Sequence, residues 1–266
     1  MAKQKLVTLT TDFGTADPYA AAMKGVLLSR CPQARVVDIS HDVPPQDVLA
    51  GAMVLAQAAP HFPPDTVHVV VVDPGVGTQR RILAACFGKQ TFLFPDNGVI
   101  TLLAERLPLA QIVAVRNAQY LPPAQPSRTF HGRDIFAPVA GHLLNGAPLE
   151  QLGPQPDTYK LLELPAPAAG TDEIVAQVIY VDRFGNLVSC IDETLLGGYW
   201  QRLEAMRVTC AGHEIGPLVG AYGFVEPGQP LALINSMGYV EVAVNRGSAA
   251  EALGAGVGAE VRIRFE

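Results

Sequence analysis

Several features that define other protein classes are scarce in this chain of 266 residues. It has four cysteines (Cys31, Cys86, Cys190 and Cys210), which are far apart and form no Cys-x-x-Cys pair. This usage favours buried thiols in a reducing cytosol over disulfides or a zinc site. No apolar stretch approaches the ~20 residues that a membrane span needs, and no secretory leader is expected before the first strand-like segment. These features predict a soluble, cytoplasmic protein.

Basic clusters are also lacking. The net charge is -6, the sequence pI is about 5.5, and the chain contains no run of Lys and Arg. This charge balance argues against nucleic acid or an anionic membrane surface as a partner. The chain is instead 49% hydrophobic, which is enough for more than one packed core.

The first 160 residues alternate between strand-like and helix-like segments. Strands are predicted at 6–10, 36–39, 67–72, 82–87, 91–94 and 111–115, and helices at 19–29, 47–58 (with Asp47 as its N-cap), 98–106 and 134–144. Such alternation is typical of a largely parallel sheet covered by helices, an α/β fold.

The character of the chain changes at residues 164–170, a Pro- and Ala-rich segment typical of a linker. Beyond it, short β-prone segments separated by glycine turns lie at 174–181, 187–191, 206–210, 231–234, 239–244 and 261–265. They predict a small β-barrel or sandwich. We therefore expect an N-terminal α/β domain at 1–164 and a smaller C-terminal β-barrel domain at 171–266.

The segment from Val67 to Arg81 is the most informative in the chain. Its valine run predicts a strand buried on both faces. Asp73 follows that run directly, at the end of the strand where open α/β sheets bind ligands. Arg80 lies seven residues later, across a Gly-rich turn that can bring its guanidinium back to the carboxylate. Either a reactive pair or a structural turn with a surface ion pair fits this pattern.

Two aspartates follow the first predicted strand. Asp12 suits a ribose diol, because its carboxylate can accept two hydrogen bonds. Asp17 either binds ligand or caps the next helix, with Pro18 at the first helical position. The turn after Asp73 lacks the Lys-Ser/Thr ending of a phosphate-binding loop, so phosphate binding is not expected.

His131 precedes a predicted helix start, where the helix dipole favours a neutral imidazole. A lone histidine is also often structural, and residues 96–98 (Asp-Asn-Gly) fit a simple turn. Asp73, Asp96, His131 and Asp134 include metal-ligating types. They show no His-x-His or His-x-x-x-His spacing, so no metal site is predicted.

Five motifs in order carry a family resemblance. They are Thr-Asp-Phe-Gly-Thr-Ala-Asp at 11–17, the Asp73–Arg81 segment, Phe-His-Gly-Arg-Asp at 130–134, Asp-Arg-Phe-Gly-Asn at 182–186 and Asn-Ser-Met-Gly-Tyr at 235–239. Together they resemble the S-adenosyl-L-methionine (SAM) hydrolases that form adenosine, also called SAM hydroxide adenosyltransferases, which are related to fluorinase and chlorinase. The resemblance spans essentially the whole chain. It implies an α/β domain joined to a C-terminal β-barrel, in a homotrimer whose substrate lies between one subunit's N-terminal domain and a neighbour's barrel.

The resemblance also implies roles for individual residues. Asp73, Arg80 and His131 correspond to the triad that activates water. The implied substrate contacts are Asp12 (ribose), Asp17 (methionine portion), Asp182, Asn186, Ser236, Glu241 and the backbone around Val244.

Three positions bear on the choice of nucleophile and on substrate binding. In the halogenases the position of Asp73 is not acidic, and the position of Gly132 carries a hydroxyl for halide. The acid and the glycine found here point to water. Met237 stands where the halogenases have an arginine that helps to hold methionine.

The expected function is hydrolysis of SAM to adenosine and L-methionine by in-line attack of water on the ribose 5′ carbon. No metal or organic cofactor is expected, since SAM is the substrate. A SAM-dependent halogenase, a non-catalytic adenosine- or SAM-binding protein, and a metal-dependent hydrolase are the alternatives.

Overall fold

A computed structural model describes residues 5–265, apart from the side chains of residues 203 and 204. In it the chain divides into two compact units, one ending at Leu162 and the other beginning at Glu163. The first unit contains β1 (Leu6–Thr11), α1 (Tyr19–Arg30), β2 (Arg35–Ser40), α2 (Val48–Ala58), β3 (Val67–Val71), β4 (Ile82–Phe87), β5 (Gln90–Pro95), α3 (Thr101–Arg106), β6 (Leu109–Ala114), a π-helix (Gly132–Phe136) and α4 (Ala137–Leu144), with 3₁₀ turns at Ala59–His61 and Leu149–Leu152.

The six described strands of this unit form one sheet in the order β2-β1-β3-β5-β4-β6. β1 runs parallel to β2 and β3, and β3 runs parallel to β5. β4 is antiparallel to both of its neighbours, β5 and β6. A two-residue turn joins β4 to β5 as a hairpin. Five of these six strands therefore point the same way, and the expected helix-covered, largely parallel sheet is confirmed.

The valine strand β3 organises the core of this unit. Val69 and Val71 face a cluster that includes Met23 of α1 and Phe136 beside α4. Val70 faces the opposite cluster, with side chains from α2 and α3. Alternate residues of a strand point to opposite faces, so one apolar run supplies both layers of the core.

The second unit is predominantly β-structure. It contains β7 (Ala168–Ala169), β8 (Glu173–Val181), β9 (Leu187–Asp192), α5 (Glu193–Gly197), β10 (Met206–Cys210), β11 (His213–Gly216), β12 (Pro230–Ile234), β13 (Tyr239–Val244), α6 (Ala249–Leu253) and β14 (Glu260–Phe265), with 3₁₀ turns at Trp200–Ala205 and Tyr222–Phe224. The strand order is β11-β10-β14-β8-β9-β13-β12, with β7 on β8, and the pairings between these described strands are antiparallel. Leu218, just beyond β11, bridges to Ala232 of β12 and nearly closes the sheet. The expected β-barrel is confirmed.

Helix starts were predicted with mixed success. Asp47 accepts a hydrogen bond from the Ala50 amide (2.9 Å) and caps α2, as predicted. The capping role considered for Asp17 is wrong, because Pro18 occupies the N-cap position and, within the described residues, no side chain caps α1. The helix predicted from residue 98 begins at Thr101, and the one predicted from residue 134 begins as a π-helix at Gly132.

The helices of the described part of the chain include none that is both long and apolar enough to cross a membrane.

Candidate active site

The reversed direction of β4 places both ends of one connection at the same edge of the sheet. Asp73 lies just beyond β3, and Arg80 lies just before β4. Because β4 is antiparallel to β5, its first residue is at the edge where the parallel strands end. The connection turns sharply at Gly77, which has φ +77°; a Cβ there would lie 2.1 Å from the backbone oxygen of Arg128.

This connection folds Arg80 onto Asp73. The Arg80 Nε donates to both carboxylate oxygens of Asp73 (3.0 Å to Oδ1 and 2.8 Å to Oδ2), and Nη2 also donates to Oδ2. The same Nη2 lies 2.8 Å from Nδ1 of His131. The side chains of Asp73 and Arg80 are 3% and 8% exposed, so this is a buried ion pair. The structure therefore brings the three residues of the expected triad into one hydrogen-bonded group.

The contact with Arg80 determines how His131 is protonated. A guanidinium only donates hydrogen bonds, so Nδ1 of His131 must accept and the ring hydrogen of the neutral imidazole lies on Nε2. Burial and the positive charge of Arg80 lower the pKa of His131, against the opposing charges of Asp73 and Asp134. His131 is therefore neutral at pH 7 and offers an N–H donor.

One cavity adjoins the triad, and a second is lined in part by residues next to His131 in the sequence. One, of about 230 Å³, is lined in part by Arg80 and His131. The other, of about 450 Å³, is lined by Phe13, Tyr19, Ser127, Thr129, Phe130 and Arg133. The three rings of this second cavity meet at centroid distances of 5.2–5.9 Å, a geometry typical of aromatic clusters.

The two aspartates of the first loop differ in their surroundings. Asp12 is half-buried, and its Oδ2 accepts a hydrogen bond from the Gln46 amide (2.8 Å). Gln46 has a positive φ of 65°, which is unusual for a residue other than glycine. Asp17 is exposed. Gln46 carried no signal in the sequence, because a backbone amide can bond to a carboxylate whatever its own side chain.

A larger cavity of about 570 Å³ lies in the second unit. It is lined by Asp182, Phe184, Asn186, Tyr222, Val244, Arg246, Gly247 and Ser248, which include three of the expected substrate contacts. Asp182 Oδ1 accepts from the amides of Phe184 (2.8 Å) and Asn186 (2.9 Å), and its Oδ2 accepts from Asn186 Nδ2 (2.9 Å). These bonds fix the loop that forms one wall of the cavity.

Glu241 is placed differently from the cavity-lining residues. It is 4% exposed; Tyr222 Oη donates to its Oε1 (2.8 Å), and Asn235 Nδ2 donates to its Oε2 (3.1 Å). Burial raises the pKa of Glu241 above its usual range, although both hydrogen bonds act in the opposite direction. Burial and the bond to Glu241 raise the pKa of Tyr222 as well. Tyr222 reaches the cavity wall and was missed by sequence reasoning.

Ser236 lies in the loop between β12 and β13. Asn235 shapes that loop, because its Oδ1 accepts hydrogen bonds from the amides of Met237 (3.0 Å) and Tyr239 (3.1 Å). Ser236 is not among the residues that line the cavity of about 570 Å³. Among the side chains that the structure describes, no three or more of His, Cys, Asp and Glu are grouped so that they could hold a metal ion.

Comparison with known proteins identifies the family. The N-terminal domain model of the SAM hydroxide adenosyltransferases matches residues 7–153, and the C-terminal domain model matches residues 176–262. The chain belongs to the SAM hydroxide adenosyltransferase family. Its two matched regions lie one in each structural unit.

Individual members of the family match over nearly their whole length. A protein of Salinispora tropica named (R)-S-adenosyl-L-methionine hydrolase is 42% identical over 99% of both chains. One of the same name from Thermus thermophilus is 42% identical over 97% of this chain and 98% of its own. A fluorinase from an Actinoplanes species is more distant, at 29% identity over 90% of this chain and 91% of its own. The crystal structure of an uncharacterized conserved protein from Thermotoga maritima has a TM-score of 0.89 and 37% identity, covering 97% of this chain and 99% of that one.

Proposed function

We propose that this protein hydrolyses SAM to adenosine and L-methionine. The observation that carries the proposal is the buried group formed by Asp73, Arg80 and His131, in a chain that belongs to the SAM hydroxide adenosyltransferases. Relatives named as SAM hydrolases are 42% identical, whereas a fluorinase is 29% identical. These identities support hydrolysis over halogenation.

The reaction is a displacement at the ribose 5′ carbon. The water oxygen forms a bond to that carbon, while the carbon–sulfur bond breaks and its electron pair remains on sulfur. Sulfur leaves as the neutral thioether of methionine, and the attacking water loses one proton. The leaving group needs no protonation, so the enzyme's task is to hold and polarise the water.

Positioning accounts for more of this task than deprotonation. In-line orientation is worth effective molarities of up to about 10⁵–10⁸ M, whereas general-base assistance contributes about 10²–10⁴-fold. In the proposed arrangement, His131 donates its Nε2–H to the water oxygen and Asp73 accepts a hydrogen from the water. A carboxylate has about four lone-pair sites, so Asp73 can accept this bond as well as those from Arg80.

Charge supports the choice of a sulfonium substrate. Asp12 and Asp17 lie on the loop after β1, at the sheet edge where Asp73 also lies. Carboxylates attract the sulfonium cation, and hydrolysis removes that charge from the organic products. We assign Asp12 to the ribose hydroxyls and Asp17 to the methionine portion of the substrate.

Gly132 is poorly suited to a halide site. A Cβ at this position would lie 2.9 Å from Met23 Sδ and 3.3 Å from the Phe13 ring. A serine hydroxyl of the kind expected in halogenases would therefore require these neighbours to shift. We expect Gly132→Ser to lower hydrolysis without producing 5′-halo-adenosine in added chloride or fluoride.

The second unit supplies the remaining proposed contacts. We assign Asp182, Asn186, Ser236 and the Val244 backbone to the substrate. We assign Glu241 to the adenine side of the substrate site, where its bond to Tyr222 gives it an indirect effect as well. We further propose a homotrimer in which the barrel of one copy completes the site of another, as the family resemblance implies. Light scattering after size-exclusion chromatography tests the trimer.

The proposal also covers stereochemistry and location. The relatives' printed names specify the (R) form of SAM, and we propose that this sulfonium diastereomer is the preferred substrate. The four unpaired cysteines favour the cytoplasm as its location.

Product analysis in ¹⁸O-labelled water tests the function. We expect adenosine and L-methionine in equal amounts, with the label in the adenosine 5′-hydroxyl, and faster consumption of (R)-SAM than of (S)-SAM. Assays with chelator and with added halide test the metal-dependent and halogenase alternatives. Adenosine binding without turnover would instead identify a non-catalytic binding protein.

A further inference from the structure

The carboxylate of Asp12 belongs to a loop that is held by a neighbouring segment. Three contacts join residues 11–14 to residues 41–46. They are Gln46 N to Asp12 Oδ2 (2.8 Å), Gly14 N to His41 O (2.7 Å), and Thr11 Oγ1 to His41 Nδ1 (2.8 Å). His41 makes two of these contacts, and both Thr11 and His41 are buried.

The imidazole of His41 has a defined orientation. Its Nε2 lies 3.1 Å from Asp38 Oδ1, although the two are not aligned as a hydrogen bond. A carboxylate at this distance favours the ring hydrogen on Nε2, which leaves Nδ1 to accept from the Thr11 hydroxyl. The Thr11 oxygen in turn accepts from the Phe13 amide (3.3 Å). The donor and the acceptor are therefore defined for both hydrogen bonds, from Thr11 to His41 and from Phe13 to Thr11.

Asp38 is itself fixed by a second partner. Lys24 Nζ donates to Asp38 Oδ2 at 2.5 Å. Burial alone would raise the pKa of Asp38, but the hydrogen bond from Lys24 and the positive charge of Lys24 hold it below its usual value. The anchor of His41 is thus a charged carboxylate at neutral pH.

We infer that His41 is a positioning residue for substrate binding, which acts through Thr11 on the loop that carries Asp12. The inference rests on the proposed function, in which Asp12 binds the ribose hydroxyls. Adenosine keeps those hydroxyls, so a displaced Asp12 weakens adenosine binding and raises the KM for SAM more than it lowers kcat. His41 touches neither the substrate nor the reacting atoms in this scheme.

The same strand offers a matched control. Thr8 Oγ1 lies 2.7 Å from His68 Nδ1, which is another buried hydroxyl–imidazole bond on β1. It lies three residues before Thr11, away from the loop. Thr8→Val and Thr11→Val therefore remove the same chemical group from the same strand, and only Thr11→Val releases His41.

The experiment measures adenosine affinity by calorimetry, SAM kinetics and thermal unfolding for each variant. We expect Thr11→Val and His41→Leu to weaken adenosine binding about 3–10-fold, the value of one ordinary hydrogen bond. His41→Asn, whose amide can replace Nδ1, restores most of the affinity. Thr8→Val lowers the melting temperature but leaves adenosine affinity within about twofold.

A double-mutant cycle with Asp12→Asn separates positioning from general destabilisation. We expect Thr11→Val to cost less than about twofold in adenosine affinity once Asp12 is replaced, because the two residues act through one contact. Fully additive losses, or an equal loss in Thr8→Val, would overturn the role of His41. A wild-type protein that binds adenosine but does not convert SAM would count against the proposed function alone.

Discussion

Asp73 and Glu241 are buried carboxylates, one in each structural unit, that contact a residue lining a cavity, and they are stabilised in different ways. Asp73 in the α/β unit is paired with the guanidinium of Arg80. Glu241 in the barrel accepts hydrogen bonds from two neutral groups, those of Tyr222 and Asn235. A charged partner compensates a buried charge, whereas neutral donors only replace the hydrogen bonds of water. The ion pair of Asp73 is suited to a reaction on a sulfonium substrate. The hydrogen bonds of Glu241 are suited to positioning the Tyr222 ring and the loop that contains Asn235.

The largest expected contrast comes from replacing each carboxylate by its amide. Asp73→Asn removes the group proposed to accept a hydrogen from water and leaves Arg80 without a counter-charge. We expect a loss in kcat of about 10²–10⁴-fold. Glu241→Gln keeps an oxygen for Tyr222 and should cost about tenfold or less, the value of one hydrogen bond. Initial rates of adenosine release measure both, and losses of similar size would contradict the contrast.

Two glycines, one in each unit, allow the α/β unit and the barrel to be compared at the backbone. Gly77 in the α/β unit and Gly185 in the barrel have φ of +77° and +80°, and a Cβ at either would lie 2.1 Å from an oxygen. The obstacle at Gly77 is the backbone carbonyl of Arg128, whereas at Gly185 it is the side chain of Ser248, whose hydroxyl can rotate but whose Cβ would remain 2.8 Å away. We expect Gly77→Ala to reduce activity by about 10–100-fold by displacing Arg80, and Gly185→Ala to reduce it less.

Gly88→Ala serves as the control for these two variants. Its φ is +58°, and a Cβ there meets no atom of the described residues within 4 Å. The substitution should therefore cost only backbone strain, about 1–2 kcal/mol in urea unfolding, with activity retained. A Gly77→Ala protein that behaves like Gly88→Ala would show that the turn tolerates the carbonyl contact.

The smallest expected effect is a pH dependence of opposite sign in the two units. His131 has a lowered pKa, so its contribution to stability is present above about pH 6.5 and is lost as the pH falls. Glu241 has a raised pKa, so its contribution is present below the ordinary Glu pKa and is lost as the pH rises. Catalysis by neutral His131 should likewise fall only below pH 6.5.

Urea unfolding between pH 4 and 8 checks these signs. The stability deficit of Glu241→Gln relative to the wild type should shrink as the pH rises. The deficit of His131→Asn should grow over the same range. A deficit that is independent of pH for both variants would show that neither group titrates on unfolding in this range.

Local sequence signals predicted the elements better than the contacts between them. The valine run and the Asp47 cap predicted β3 and the start of α2, because each depends on adjacent residues. The start of α1 was predicted wrongly, since Asp17 and Pro18 fit a cap in sequence while the proline itself occupies the N-cap. Two-residue β7 is too short to show a periodicity.

Whether a contact in the site could be predicted depended on how far apart its two residues lie in the sequence. Asp73 and Arg80 are seven residues apart on one turn, so their pairing was visible in the sequence. The bond between Thr11 and His41 spans 30 residues and depends on the pairing of β1 with β2. Tyr222 and Glu241 are 19 residues apart and meet only when the barrel forms. Sequence spacing alone cannot predict such contacts.

Because β4 runs antiparallel to β5, Asp73 and Arg80 lie on one short segment of the chain. A parallel β4 would need a crossover connection of a dozen or more residues from β3, which would place the two charges farther apart along the chain. Here residues 72–81 carry both of them between β3 and β4. A single segment can therefore be transplanted between homologous scaffolds, by recombination or by design, without separating the guanidinium from its carboxylate.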